Sequence, residues 1–356
     1  MSWLTDDEPD EYDEYDESSA RVRPNPKANK PRSKTRPEHK DSVIGRVYAV
    51  DRGRFSVLVG EGTPEEHTVV ATKARELGRH SIVTNDFVDV VGDTTGDDGS
   101  LARIVSVQER TTLLRRSADD TDAVERIIVA NADQMLIVVA AANPEPRPRL
   151  VDRYLVAAFD AGITPILVIT KVDLQDPAEF LANFAGLELR VIRSRSDKFP
   201  IEELTELMQA HTTVAVGHSG VGKSTLVNAL VPDANRAVGV VNTVTGRGRH
   251  TSSSTISYRI GTGWIVDTPG VRSFGLGHVN PDNILKSFSD LAAIAEDCPR
   301  GCTHLPDAPD CAIVEAADRG DLGEIGRLRL DSLQRLLTTL SPAKSSDRAR
   351  RDLADG

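Results

Sequence analysis

The fold of this chain is decided by the stretch Gly217-His218-Ser219-Gly220-Val221-Gly222-Lys223-Ser224, which Thr225 follows. It fits the phosphate-loop pattern of a glycine, four residues, and then Gly-Lys-Ser/Thr. Residues 213–216 before it predict a strand, and residues 226–230 after it predict a helix. In such a loop the backbone N–H groups turn toward a phosphate chain, and the helix N-terminus adds positive potential. We therefore expect Lys223 to reach the outer phosphates of a nucleotide and Ser224 to bind Mg²⁺.

A second motif, Thr170-Lys171-Val172-Asp173, follows a predicted buried strand at residues 163–169. It resembles the guanine-recognition motif Asn/Thr-Lys-x-Asp of GTPases. The Asp173 carboxylate can accept hydrogen bonds from the N1–H and the 2-amino group of guanine, whereas adenine offers neither donor in that arrangement. The aliphatic stem of Lys171 can lie along the base, and Ser194 stands where a supporting guanine loop is expected. The two motifs together predict that the chain binds GTP and GDP.

A third motif, Asp267-Thr268-Pro269-Gly270, ends a predicted strand at residues 264–266 and resembles switch II of GTPases. There Asp267 would hold Mg²⁺ through water, and the Gly270 N–H would bind the γ-phosphate. Residues 246–255 form a loop that is rich in glycine and poor in apolar residues, which suits switch I. We expect Thr251 to complete the Mg²⁺ coordination, with Thr255 as the alternative; either one can also be an ordinary loop hydroxyl.

Val271 stands directly after switch II, where many GTPases carry a glutamine that orients the attacking water. Because a valine side chain forms no hydrogen bonds, we expect hydrolysis by the chain alone to be slow. His250, next to the predicted switch I threonine, is the candidate that positions the water. The alternative is a loop histidine with no catalytic part. The predicted catalytic residues are therefore His250, Thr251 and Lys223.

The order of the motifs differs from that of conventional GTPases, in which the phosphate loop comes first and the guanine motif last. Here residues 170–173 precede both Gly217 and Asp267. The fold can still close, because the termini of a domain usually lie near each other on its surface. Strands and helices alternate from residue 134 to residue 266, which predicts a mostly parallel sheet covered on both faces. We therefore predict an α/β fold, a circularly permuted P-loop GTPase domain at residues 111–280.

Five short candidate strands predict a small closed barrel, an N-terminal OB-fold, at residues 42–110. They lie at residues 42–50, 54–59, 67–71, 87–91 and 101–107. Such barrels bind oligonucleotides in many proteins, but aromatic side chains for base stacking are few here, so a purely structural barrel is nearly as good an interpretation. A polar stretch at residues 115–122 follows the barrel.

All three cysteines of the chain lie close together, as Cys298, Cys302 and Cys311. With His304 they offer three thiolates and one imidazole, a full tetrahedral set for structural Zn²⁺ that leaves no position open for catalysis. The alternative is free thiols beside a surface histidine. An odd number of clustered cysteines argues against a disulfide framework. Predicted helices at residues 313–317 and 325–337 complete a helical zinc-binding domain at residues 281–340.

Both ends of this chain of 356 residues, whose formal net charge is −11, are rich in charge. Residues 6–17 are acidic and residues 21–40 basic, which predicts a disordered tail at residues 1–41. The basic part either contacts nucleic acid or only keeps the protein soluble. Residues 341–356 predict a second flexible tail. No run approaches the roughly 18 apolar residues of a membrane span, and the N-terminus is unlike a signal peptide, so we expect a cytoplasmic protein without membrane contact.

The barrel, the permuted GTPase domain and the Cys/Cys/His/Cys cluster, in this order, resemble the ribosome small-subunit-dependent GTPase A family. The stretches Ala130-Asn131-Ala132-Asp133-Gln134 and Asp152-Arg153-Tyr154-Leu155 also resemble that family, and the likeness covers residues 42–340. The resemblance implies a bacterial GTPase in late maturation of the 30S ribosomal subunit, stimulated by that subunit. It also implies one structural Zn²⁺ and contacts to 16S rRNA and ribosomal proteins. We expect a monomer.

Two other functions fit part of the sequence. A small-molecule kinase would use the phosphate loop with ATP, but the guanine motif argues against it. A nucleotide-gated RNA- or ribosome-binding module with negligible catalysis would keep the nucleotide site only as a switch. Hydrolysis measured over many turnovers, with and without 30S subunits, separates both from a GTPase.

Overall fold

The structure of the chain is a computed structural model, which describes residues 39, 41–78, 80–117, 125–232, 255–268, 274 and 276–340. Its first strands are β1 (Val43–Asp51), β2 (Arg54–Val59), β3 (His67–Lys73), β4 (Phe87–Gly92) and β5 (Ala102–Val107). β1 pairs with both β2 and β4, and β3 pairs in parallel with β5, so the strands close into a barrel in the order β1-β2-β3-β5-β4. Alternate side chains such as Val47, Val57 and Ile104 fill its interior. The predicted OB-fold barrel is confirmed.

A hairpin follows the barrel, where the sequence predicted only a polar stretch. Its strands are β6 (Leu113–Ser117) and β7 (Glu125–Ala130), which pair antiparallel. Leu114 and Val129 are buried in the main hydrophobic core. Only the first two residues of β6 are apolar, and a run of that length is too short to predict a strand from alternation.

The central sheet carries the predicted nucleotide motifs. Its strands are β8 (Gln134–Ala140), β9 (Thr164–Thr170), β10 (Arg190–Arg193), β11 (Thr212–Gly217), β12 (Ile256–Ile260) and β13 (Gly263–Asp267). They lie in the order β10-β9-β8-β11-β13-β12, and all pairs are parallel except β12 with β13. A single bridge between Ala49 and Ile256 joins the barrel to β12. The mostly parallel sheet of the permuted GTPase fold is therefore confirmed.

Helices cover both faces of this sheet, so every residue of β8 is buried, whichever face its side chain points to. The helices are α1 (Pro148–Asp160), α2 (Ala178–Ala182), α3 (Ile201–Met208), α4 (Lys223–Leu230), α5 (Pro281–Lys286), α6 (Ser289–Ala295), α7 (Ala312–Arg319) and α8 (Gly323–Leu340). Met135 and Ile137 share one core with α1 and α8, whereas Leu136 and Val138 share another with α3 and α4. The chain thus forms a three-layer α/β domain with the barrel at one edge.

The C-terminal helices pack directly on α1. The Arg335 guanidinium of α8 lies 3.2 Å from the Asp152 carboxylate of α1, and it stacks over the Phe184 ring at 5.3 Å. Phe288 is buried against Phe159 of α1, with 6.3 Å between ring centroids. These contacts bury the surface between the sheet and the C-terminal helices, so the described residues from Asp41 onward form one compact unit.

Candidate nucleotide and metal sites

The phosphate loop connects the end of β11 at Gly217 to the start of α4 at Lys223. Gly220 and Gly222 have φ angles of 84° and 94°, in the left-handed region that glycine adopts without a Cβ penalty. The Lys223 ammonium donates a hydrogen bond to Asp267. Ser224 and Thr225 are exposed in the first turn of α4. The loop therefore brings a helix N-terminus and one lysine together at the end of β11, which suits an anionic ligand.

The guanine motif is bonded directly to the phosphate loop. The Thr170 hydroxyl donates a hydrogen bond to the Val221 carbonyl at 2.5 Å, and both residues are buried. The Lys171 ammonium donates to the Gly220 carbonyl at 2.9 Å and also to the carbonyl of Asn143. The two motifs, which lie 51 residues apart at Thr170 and Val221, thus form one continuous surface at the carboxyl edge of β9 and β11.

Asp173 is held in place by the loop that follows β10. Its Oδ1 accepts a hydrogen bond from the Ser196 N–H at 2.7 Å. The Ser194 N–H donates to the Ile169 carbonyl at 2.8 Å, which fixes that loop against the end of β9. The Ser196 N–H, assisted by the Arg195 charge, keeps the pKa of Asp173 below its ordinary value. The carboxylate is exposed and ionised at neutral pH, so it can accept hydrogen bonds from a base.

Asp267 reaches the phosphate loop because β13 pairs with β11. Asp267 is in register with Ala215, and the hydroxyl of the next residue, Thr268, donates to the Ala215 carbonyl at 2.8 Å. His250, Thr251 and Gly270, which the sequence placed in the switch regions, lie outside the described residues. The structure therefore brings together Lys223 and Asp267 but gives no position for the predicted switch I threonine.

Two further site predictions are placed by the structure. His218 lines a shallow cleft between the phosphate loop and α1, and its Nδ1 lies 2.9 Å from the Ser219 carbonyl. Thr255, the alternative switch I threonine, lies next to the barrel, where its carbonyl accepts a hydrogen bond from Thr84 at 3.0 Å. Thr255, the residue before β12, thus lies beside the barrel in this structure.

The C-terminal cluster has the dimensions of a tetrahedral zinc site. The ligand atoms of Cys298, Cys302, His304 and Cys311 all lie within 4.8 Å of one another. His304 Nδ1 is 3.7 Å from the Cys298 and Cys311 sulfurs, which are 3.9 Å apart. With Zn–S bonds of about 2.3 Å and Zn–N bonds of about 2.0 Å, tetrahedral ligands lie about 3.5–3.8 Å apart. The donor set and its spacing therefore fit one zinc ion.

Burial affects two of these ligands. It lowers the pKa of His304 and raises the pKa of the Cys311 thiol to about 11. A metal ion would favour the thiolate, so zinc binding and loss of the thiol proton go together at this site. The Gln334 side chain of α8 donates to the His304 carbonyl at 3.1 Å, which ties the cluster to the last helix.

The sequence did not point to Asn143, Arg46, Glu61 or Trp264, although each takes part in the geometry around the site. Asn143 anchors Lys171, and its signal was the Asn-Pro pair just after a buried strand. Trp264 is one of two tryptophans in a chain with only 4% aromatic residues. Its signal was this rarity, because a buried tryptophan usually donates its indole N–H to a specific partner.

The fold and the bonded motifs define a circularly permuted P-loop GTPase. The model of the RsgA GTPase family matches residues 107–277. The chain is 34% identical over 278 residues to a protein of Vibrio vulnificus (strain YJ016) named small ribosomal subunit biogenesis GTPase RsgA 1, with 76% of this chain and 77% of that one covered. It is 31% identical over 313 residues to the RsgA protein of Chlorobaculum tepidum, with 85% and 99% covered. The chain therefore belongs to the RsgA GTPase family, whose members are GTP hydrolases.

Solved structures show the same fold. YjeQ from Thermotoga maritima superposes with a TM-score of 0.61 at 24% identity, covering 84% of this chain and 98% of that one. YloQ, described as a circularly permuted GTPase, superposes with a TM-score of 0.61 at 23% identity, covering 86% and 99%. In the described part of this chain, no helix is both long enough and apolar enough to span a membrane.

Proposed function

We propose that this chain hydrolyses GTP to GDP and phosphate during late maturation of the 30S ribosomal subunit, and that the subunit stimulates hydrolysis. Its family membership supports the GTPase reaction, and relatives at 31% and 34% identity carry the name of small ribosomal subunit biogenesis GTPases. The observation that carries the nucleotide assignment is the direct bonding of Thr170 and Lys171 to the phosphate loop. A base-reading carboxylate and a phosphate cradle that share one surface suit a single bound guanine nucleotide.

The nucleotide would lie across this surface with its base at Asp173 and its phosphates at the N-terminus of α4. Lys223, which contacts Asp267 in the structure, would neutralise the outer phosphates, and Asp267 would help to hold the metal ion. Mg²⁺, when bound, supplies charge neutralisation at the β- and γ-phosphates; Ser224, Thr251 and Asp267 are the residues that would hold it. The proposed nucleotide contacts are Thr170, Lys171, Val172, Asp173, Ser194, Gly217, His218, Ser219, Gly220, Val221, Gly222, Lys223, Ser224, Thr225, Asp267 and Gly270.

Hydrolysis by the isolated chain should be slow, because Val271 cannot orient the attacking water. His250 is the residue we assign to that task. External completion of a GTPase site can raise its rate by up to about 10⁵-fold. A docked 30S subunit that orders the switch regions would supply such completion. His250→Ala should then lower turnover while leaving GTP affinity nearly unchanged, and unchanged turnover would remove His250 from the mechanism.

The cysteine cluster would hold one structural zinc ion through Cys298, Cys302, His304 and Cys311. Four protein ligands leave no open position, so the ion would stabilise the fold without taking part in hydrolysis. Its role would be to fix the segment between α6 and α7, which lacks regular structure of its own.

We also propose a division of the chain into domains. It has a tail at residues 1–41, the barrel at 42–110, the GTPase domain at 111–280, the zinc domain at 281–340 and a tail at 341–356.

The barrel is the proposed contact to 16S rRNA. Arg52 and Arg54 are exposed on either side of the turn between β1 and β2, where they can reach phosphates. The overall charge of −11 does not prevent this contact, because local patches set the interaction with RNA. We further propose that the protein acts in the cytoplasm as a monomer, with GTP or GDP, Mg²⁺ and one Zn²⁺ as its ligands.

GTP hydrolysis over many turnovers tests this function when it is measured alone and with 30S, 50S and 70S particles. We expect stimulation by 30S subunits above all. Stimulation by none of the particles would refute the ribosomal part of the proposal. Tight, nucleotide-dependent binding to 30S without turnover would instead favour a binding module that uses GTP only as a switch.

A further inference from the structure

The barrel and the central sheet meet at a junction of three side chains: Arg46 of β1, Glu61 after β2 and Trp264 of β13. Glu61 accepts a hydrogen bond from each of the other two, at 2.8 Å from Arg46 Nε and 2.7 Å from Trp264 Nε1. The Arg46 guanidinium also stacks over Phe87 at 4.5 Å and over Trp264 at 5.2 Å. Only 11% of the Arg46 side chain is exposed, so water screens this pair less than a surface ion pair.

Further contacts hold the rest of the β12–β13 hairpin to the barrel side. Arg259 Nη1 lies 2.5 Å and 2.6 Å from the two carboxylate oxygens of Glu66. The buried Ser257 hydroxyl donates to the Asn85 side chain at 2.9 Å. Each strand of the hairpin is therefore tied to the barrel by at least one specific polar contact.

The same hairpin leads directly to the nucleotide site. β13 ends at Asp267, three residues after Trp264, and Asp267 is bonded to Lys223 of the phosphate loop. The hairpin has little room to deform, because a Cβ at Gly263 would lie 1.8 Å from the Met208 carbonyl. A displacement of the barrel end of β13 should thus be passed on to Asp267 rather than absorbed.

We propose that the Arg46–Glu61–Trp264 junction is a positioning element through which the barrel sets the place of Asp267 beside the phosphates. This rests on the proposed function in one respect, namely that the 30S subunit is what engages the barrel. Coupling between two binding sites is reciprocal, so the same junction should make affinity for the subunit depend on the bound nucleotide. In this proposal Arg46, Glu61 and Trp264 act through Asp267, and none of them belongs to the proposed nucleotide contacts.

A junction that only holds the barrel in place predicts a different result. Breaking it would lower the melting temperature but leave unchanged the ratio of 30S dissociation constants measured with GDP and with a non-hydrolysable GTP analogue. A positioning element predicts that this ratio moves toward one. Coupling between sites commonly amounts to about 5- to 150-fold, so the change is large enough to measure.

The test compares Glu61→Ala, Glu61→Gln and Trp264→Phe with the full-length wild type. Glu315→Ala is the control, since Glu315 forms an exposed ion pair with Arg319 at 3.7 Å on α7. We expect Glu61→Ala to lower the 30S-stimulated rate about tenfold or more and to bring the ratio of dissociation constants close to one. The Glu315→Ala control should match wild type in basal hydrolysis, in the 30S-stimulated rate and in the ratio of dissociation constants. Glu61→Gln, which keeps an acceptor for Trp264 but loses the charge, should be intermediate.

A second measurement needs no ribosome. Trp3→Phe leaves Trp264 as the one tryptophan of the chain, and its emission should differ between the GDP form and the GTP-analogue form. Adding Glu61→Ala should abolish that difference. If emission follows the nucleotide but 30S does not stimulate hydrolysis, the junction stands and the ribosomal function falls. If 30S stimulates wild type and Glu61→Ala equally and the emission is insensitive to nucleotide, the junction is a static contact and the inference is wrong.

Discussion

Replacing Thr170 by valine tests whether the guanine motif and the phosphate loop act as one site. Valine keeps the shape of threonine but lacks the hydroxyl. Thr170 is only 3% exposed in the structure. Its hydroxyl lies 2.5 Å from the Val221 carbonyl and 3.3 Å from the Val139 carbonyl. The bond to Val221 fixes a peptide between the two glycines, Gly220 and Gly222, that give the loop its shape. The substitution therefore loosens the phosphate cradle by removing the hydroxyl that holds the Val221 carbonyl.

The size of the effect follows from the loss of one buried hydrogen bond. A buried carbonyl left without its donor costs about 1–3 kcal/mol. If the loop relaxes to find another partner, nucleotide binding must reverse that relaxation, and the cost appears as weaker binding. GDP affinity should then fall by about 5- to 150-fold, because each factor of ten corresponds to about 1.4 kcal/mol. Any part of the cost that stays in the fold should lower the melting temperature by about 2–4 °C per kcal/mol.

Titration with fluorescent GDP and a GTP analogue measures the effect, and Thr213→Val is the matched control. Thr213 is also a buried threonine of the central sheet, and its hydroxyl donates to Gln134 at 3.0 Å near the opposite end of β11. Thr213→Val should lower the melting temperature similarly but leave GDP affinity unchanged. Wild-type GDP affinity in Thr170→Val would refute the direct link between the motifs. Equal weakening in both variants would show that the effect is a general loss of stability.

Three further predictions concern the base, the zinc cluster and a buried carboxylate. Asp173→Asn should weaken GTP binding on the order of 100-fold or more, because two hydrogen bonds to a charged acceptor are each worth about 1.5–3 kcal/mol; competition by ATP should not change, and equal losses for both nucleotides would contradict base reading. Cys311→Ser should leave zinc substoichiometric by metal analysis and lower the melting temperature, as a chelator should in wild type, whereas full zinc occupancy in the variant would exclude Cys311 as a ligand. Burial raises the pKa of Asp152 despite the neighbouring Arg335, so its contribution to stability is present below the unfolded-state pKa and is lost as the pH rises through the folded-state pKa. As the pH rises from about 4 to about 7, the free energy of unfolding of wild type, measured in urea, should therefore fall relative to that of Asp152→Asn. A difference between the two proteins that is independent of pH would contradict the assignment.

The nucleotide motifs were predictable because their chemistry depends on neighbours in the chain. Gly220 and Gly222 adopt positive φ angles that a phosphate loop needs, and Lys223 must begin the helix that follows. The candidate zinc site could be recognised for the same reason, since Cys298 and Cys311 belong to one short loop that can fold around an ion. Strands buried on both faces, such as β8, can also be recognised in the sequence as nearly continuous apolar runs.

The sequence by itself thus determined the class of fold, the order of its motifs and the residues proposed for the nucleotide and zinc sites. Only the tertiary structure decided that Thr170 donates to Val221, and that Glu61 joins Arg46 to Trp264, which is 203 residues away in the chain. The physical reason is that these contacts depend on strand register and on which edge of the sheet the barrel meets. No local pattern encodes either, because register and edge are set by the packing of the whole core at once.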